Sequence, residues 1–183
     1  MKRFLHDYLS SETFLPSLSF LGILFTLFFT LAFITYQPVL ENQFVFDDFF
    51  LFFNNPWITS LSHINDIFSH RVWFFSYSFP DGVNPYYRPV MHLVFAIEYF
   101  FFGLHPASWH IVHIVWHAFN SVLLFLFILL FFKILLPKRS LKDTTSSEIT
   151  RHATLLSALL GSLLFLVHPI HAEIVNWVAA VPE

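Results

Sequence analysis

The chain has 183 residues, is 56% hydrophobic and only 11% charged, and carries a formal net charge of -3. Soluble domains hold about 25% charged residues, so this composition excludes an ordinary water-soluble domain and makes a bilayer the solvent. Cysteine is absent and glycine occurs four times, which removes disulfides, thiolate metal centres and the glycine-rich loops of Rossmann and P-loop nucleotide sites. A mildly acidic chain gives no reason to expect nucleic acid.

Residues 1–13, with Lys2 and Arg3, read as a cytoplasmic N-terminus, and 14–36 as a first transmembrane helix. The uncharged run is longer than a signal-peptide core of about 7–15 residues, and no small-residue cleavage site follows. It is therefore read as a retained anchor. The next long apolar run, 109–136, reads as a second transmembrane helix and exceeds the length needed to cross about 30 Å of hydrocarbon. The end holding His110, His113, His117 and Asn120 is expected to project. Residues 137–152 read as a flexible cytoplasmic loop, 153–168 as a short third span, and 169–183 as the start of a second external loop.

Pro89–Gly103 is ambiguous, being apolar yet short and interrupted by His92 and Glu98. Charge placement decides. If this piece lies in the interface, Lys2, Arg3, Lys133, Lys138, Arg139, Lys142 and Arg151 all fall on the cytoplasmic side, against Arg71 and Arg88 outside. That is the positive-inside pattern. Residues 37–108 then form one long external loop of short juxtamembrane pieces, and His168 onward returns to the same side. The expected fold is an all-α integral membrane module with three transmembrane helices.

Four groups can carry chemistry. Asp47-Asp48 sits among Phe44, Val45, Phe46, Phe49 and Phe50, and carboxylates in apolar surroundings are costly unless used. One reads as a general base and the other as a metal ligand or orienting group; the alternative is a solvated turn or helix cap. Arg88, between Tyr87 and Pro89, suits a lipid phosphate because its guanidinium offers paired, always-charged donors, unless it merely snorkels toward headgroups. His110, His113, His117 and Asn120 have offsets of one helical face. They read as a polar stripe lining a site, more than as a zinc site, because that helix lacks a carboxylate. His168-Pro169-Ile170-His171-Ala172-Glu173 closes the third span and can bind a metal, activate a hydroxyl or hold a phosphate; a capped turn is the plain alternative.

Phe44-Val45-Phe46-Asp47-Asp48, Asn54-Asn55-Pro56, Tyr87-Arg88-Pro89-Val90, Phe102-Gly103-Leu104-His105-Pro106, Trp109-His110 through His117 and Asn120, and the closing His168-Pro169-Ile170-His171-Ala172-Glu173 together resemble a known family. It is the transmembrane O-mannosyltransferases that carry tetratricopeptide repeats, with their bacterial relatives, which look like C-type (GT-C) membrane glycosyltransferases. The resemblance implies sugar transfer on the periplasmic or lumenal face of a bacterial inner membrane or the endoplasmic reticulum. It implies a polyprenyl- or dolichyl-phosphate sugar donor and an acceptor polypeptide hydroxyl. Asp47 or Asp48 would be the base, and Arg88 with His168 or His171 would hold the donor phosphate. Tyr87 and the His110–Asn120 stripe would line the site. Asp48 and Glu173 would hold a divalent cation, Mg or Mn, if one is used.

The family pattern continues past Glu183 into further spans and repeats, so the chain is expected to be the N-terminal part of a longer enzyme or to need a second chain that supplies the rest. Its ending, Val178 to Glu183, departs from the Gly-Arg-acid pattern, keeping only the acid. The rival readings are a non-catalytic membrane scaffold and a histidine-based metal or lipid-phosphate binding subunit.

Overall fold

The computed structural model describes residues 16–72, 74, 86–135 and 144–180. The N-terminal basic pair, Asn84 and Pro85, and the Lys138–Lys142 cluster lie outside the described residues. Those residues form helices and turns without a strand. They are α1 (Leu18–Tyr36), α2 (Ile64–Ser69), α3 (Pro89–Phe102), α4 (Pro106–Leu135), α5 (Thr144–Val167) and α6 (Ala172–Asn176), with 3₁₀ and π turns between them.

Among the described residues, three helices are long and apolar enough to cross a membrane: α1, α4 and the Ile149–Val167 part of α5. α1 starts where the Ser17 hydroxyl accepts the Phe20 N–H at 3.2 Å. Its threonines give their hydroxyl protons back to the helix: Thr26 to the Gly22 carbonyl, Thr30 to Thr26 and Thr35 to Leu31, at 2.8–2.9 Å. The hydroxyls of these three threonines are thereby not left bare in lipid. Leu24, Phe28, Ala32 and Tyr36 recur every fourth residue and are buried against the other spans. α4 is the central helix, packed on both α1 and α5. Gly161 lets α5 approach closely, since a Cβ there would meet Ile128 Cδ1 at 2.9 Å.

α3 settles the ambiguous segment. Its 14 residues reach about 21 Å, too short to cross, and it packs into an external unit instead. Gly103 ends it at φ +57°, a conformation that favours glycine. The chain then turns back, and the Gly103 carbonyl accepts the Trp109 indole N–H at 2.8 Å. Trp109, fully buried, packs with Phe44, Phe52 and Phe95 at ring separations of 4.5–5.8 Å. The first turns of α4 therefore belong to the external unit, as its 30-residue length, about 45 Å, requires.

α5 corrects one expectation. It begins at Thr144, nine residues before the expected start at 153, so much of the expected flexible loop is helix. Between Lys138 and Leu160 there is neither glycine nor proline, and nothing stops the apolar helix from propagating backward.

The far end of α5 is where the three spans lock. Pro169 has no N–H, and the Ile170 N–H turns to His168 Nδ1 at 3.2 Å. The Leu166 carbonyl is thus left without a helical donor. Tyr36 Oη–H from α1 donates to it at 3.1 Å, and His117 Nε2–H from α4 donates at 2.9 Å. This fixes the His117 tautomer. Because either donor alone still satisfies the carbonyl, Tyr36→Phe should cost about 0.6 kcal/mol, as interhelical hydrogen bonds in membranes do. Tyr36→Phe with His117→Phe should exceed the sum of the single losses, measured as a double-mutant cycle by unfolding in detergent.

Candidate active site

The acid pair divides into two unlike residues. The turn begins with Phe46 at φ +49°, left-handed backbone that is strained for a phenylalanine. Its ring meets the edge of Trp177, 6.3 Å between centroids. The Asp48 N–H donates to the Val45 carbonyl at 3.0 Å, and Asp48 Oδ2 accepts the Val45 N–H at 2.8 Å. Asp48 Oδ1 accepts the Ala179 N–H at 2.9 Å. Both carboxylate oxygens of this buried residue are therefore engaged by backbone. Burial pushes its pKa up to about 6, and the two N–H donors hold it from rising further. The Trp177 indole N–H lies near enough to favour the charged form without closing a hydrogen bond. Asp47 is on the same turn with its side chain exposed, while its carbonyl accepts the Phe50 and Leu51 N–H groups at 3.0 and 2.9 Å.

The Asp48–Ala179 bond puts residues 37–72 and 168–180 on one side of the spans, as the three-span topology expects. The other expected site residues are spread around this side. Arg88 is half-buried, with Cζ 5.1 Å from the Tyr86 ring centroid. The Tyr87 hydroxyl donates to the Phe68 carbonyl at 2.7 Å, so its main task is to hold the chain before α3. Asn55 accepts the Trp57 N–H at 2.9 Å and caps the following turn.

His110, His113 and His117 are all buried, whereas Asn120 is exposed. Asn120 is at the stripe's helical spacing but is exposed, so it does not extend the buried part of the stripe. His110 lies beside the backbone of Asn42 and Val175 without closing a hydrogen bond to either. His117 is spent on the Leu166 carbonyl, and His171 stacks on Phe165 and His117, at 4.2 and 5.3 Å between centroids. Burial, then the neighbouring His168, push the His171 pKa down, so its neutral ring meets an anion as a hydrogen-bond donor rather than a cation.

Of the residues expected to hold a divalent cation, Asp48 accepts two backbone N–H bonds and Glu173 is exposed in the first turn of α6; among the described residues no group of three His, Asp or Glu converges. Sequence reasoning missed Trp177 and the Ala179 N–H, which have no side-chain signature. It also passed over Glu98 as a site. Met91, Phe95 and Glu98 recur at helical spacing on the buried face of α3. The Glu98 carboxyl has no hydrogen-bond partner among the described residues, and burial pushes its pKa up to about 8.

No family model and no solved structure matches the chain. Named relatives do. Protein O-mannosyl-transferase TMTC4 of Homo sapiens is 31% identical over 148 residues, covering 80% of this chain and 19% of that protein. Protein O-mannosyl-transferase TMTC3 of Homo sapiens is 30% identical over 140 residues, covering 76% and 13%. Protein O-mannosyl-transferase F38B6.6 of Caenorhabditis elegans is 28% identical over 146 residues, covering 80% and 19%. The matched region is related to the protein O-mannosyl-transferases. The chain spans about a fifth or less of the length of these curated relatives. As a relative of these transferases with three apolar spans, it is an integral membrane protein.

Two measurements check the site's electrostatics. Asp48→Asn has one acceptor for two N–H donors and should lose about 1–3 kcal/mol of stability. Asp47→Asn should stay within about 0.5 kcal/mol, both by detergent unfolding at neutral pH. Glu98 has a native pKa of about 8, above the 4.5 of an ordinary glutamate. Between these values the folded protein keeps a proton that the unfolded chain releases. Its contribution therefore falls as pH rises from about 4.5 to about 8. Glu98→Gln should match wild type near pH 4.5 and gain on it steadily toward pH 8 in melting curves.

Proposed function

We propose that this chain forms the membrane-embedded catalytic end of a protein O-mannosyl transfer reaction, with Asp47 as the general base. The relatives' names supply the reaction class, and one observation carries the residue assignment. Asp48 has both oxygens tied to backbone N–H groups, while Asp47 presents an exposed carboxylate on the same rigid turn. A base must be free to take a proton; a tether need not be.

In the reaction, Asp47 takes the proton of an acceptor hydroxyl as that oxygen bonds to the anomeric carbon of a polyprenyl- or dolichyl-phosphate sugar. The carbon–phosphate oxygen bond breaks with its electron pair going to the lipid phosphate, and configuration inverts. Arg88 meets the phosphate charge, and His168 and His171 add hydrogen bonds from their ring N–H groups. The half-burial of Arg88 over Tyr86 supports this reading, because a guanidinium held at headgroup depth is preorganised for a lipid anion. Lys133 and Arg151 lie at the opposite ends of their spans from Asp48, which supports a periplasmic or lumenal active side.

The test uses the full-length protein in native membranes, with labelled polyprenyl-phosphate mannose and acceptor peptide. Asp47→Asn should lower transfer about 10²–10⁴-fold with unchanged melting behaviour. Arg88→Lys should raise the donor concentration needed for half-maximal rate. Wild-type turnover in Asp47→Asn would overturn the assignment, and a non-catalytic scaffold would lose transfer with none of these substitutions.

A further inference from the structure

The outer end of α4 stands between the two arms that meet at the acid turn. One arm, 37–48, continues from α1, and the other, 168–180, leads out of α5; α4 packs against both. His110 is fully buried at this junction, and neither of its ring nitrogens has a hydrogen-bond partner among the described residues. His113, equally buried and unpartnered, meets this ring edge-on, 6.3 Å between centroids. The His110 ring lies beside the backbone of Asn42 in the first arm and of Val175 in the second. The Asn42 N–H is spent on the Val39 carbonyl at 2.9 Å, so Asn42 turns its carbonyl to the ring. Val175 is in α6, and the α-helical donor to its carbonyl would be the Ala179 N–H. That N–H goes to Asp48 Oδ1 instead, at 2.9 Å. A buried carbonyl without a donor is costly, and a neutral imidazole brings one N–H to the two carbonyls it faces.

We propose that His110 is a positioning residue for the acid turn: its N–H takes the place of Ala179 at the Val175 carbonyl and so leaves the Ala179 N–H for Asp48. The inference rests on the reading of this turn as the one that carries the base. Ala179 has two acceptors to choose between, its own helix and a carboxylate on the other arm. With the ring beside Val175, the carbonyl is not stranded when Ala179 leaves it. Without a donor there, the Ala179 N–H is drawn back to Val175, α6 gains residues at its end, and Asp48 keeps only the Val45 N–H. Asp47 then stands on a turn fastened from one side, and misplacement by about 1 Å can cost about 10²-fold in rate. The Asn42 carbonyl holds the other edge of the same ring, three residues before the turn begins at Val45. One buried side chain thereby sets both arms whose tips the Asp48–Ala179 bond joins, without itself touching a substrate.

The test compares His110→Gln with His110→Met, side chains of similar size of which only glutamine brings an N–H. These 183 residues hold no cysteine. With any cysteine outside them replaced by serine, spin labels at Gln43→Cys and Glu173→Cys, both exposed, report the separation of the arms in the full-length protein in nanodiscs. His110→Gln should keep the wild-type distance distribution and turnover. His110→Met should broaden the distribution and lower turnover at saturating polyprenyl-phosphate mannose by up to about 10²-fold, with the half-saturating donor concentration unchanged. His110→Phe repeats the donor-free comparison if the methionine variant does not fold. Identical distance distributions in the glutamine and donor-free variants would overturn the role of the N–H, and equal loss in all of them would make His110 a packing residue only. The distances need no turnover. A broadened distribution in His110→Met together with wild-type turnover in Asp47→Asn would therefore refute the base and leave the positioning of the turn standing.

Discussion

A proline that ends a helix governs this molecule. Pro169 breaks α5, the Ile170 N–H turns to His168 Nδ1, and the Leu166 carbonyl is left open for a donor from each of the other two spans. One oxygen thereby sets the relative height of all three helices at their external ends. Everything beyond follows from that height. The chain leaving α5 passes over His117, stacks His171 on Phe165, and delivers the Ala179 N–H to Asp48. Had α5 continued one more turn, its own Ile170 would have satisfied Leu166, and the acid turn would lack its second support.

The external unit depends on a different economy. α4 is longer than the bilayer requires, and its surplus begins with Trp109, which the loop wraps with phenylalanines. The loop is thus folded around an extension of a membrane helix rather than suspended between two spans. Such a base is rigid, because the tryptophan's single donor is fixed on Gly103 and its ring is fully enclosed.

The three apolar spans and the shortness of the helix between the first two were legible because each follows from apolar length. The start of α5 was hidden, since a serine- and threonine-rich run looks like a loop unless one asks what would stop the helix. The difference in setting between Asp47 and Asp48 was hidden more deeply. Two identical neighbours in sequence differ only in which way the turn points them, and the partner that distinguishes them is a backbone N–H, which every residue but proline possesses. The histidine stripe was legible as a buried face. Its functions were not, because a carbonyl deprived of its donor by a distant proline leaves no mark near His117.

Asp48 and Ala179 are separated by 131 positions, and ribosomes deliver them in order. The acid turn emerges early, with strained backbone at Phe46 and a buried-type carboxylate that has only the Val45 N–H to hold it. The arm bearing Ala179 arrives only after α5 has threaded the bilayer in the correct direction. The bond between them therefore closes late and spans most of the described sequence. A molecule whose third span has inserted the wrong way round cannot make it. The turn then remains half-supported, on the far side of the membrane from its partner.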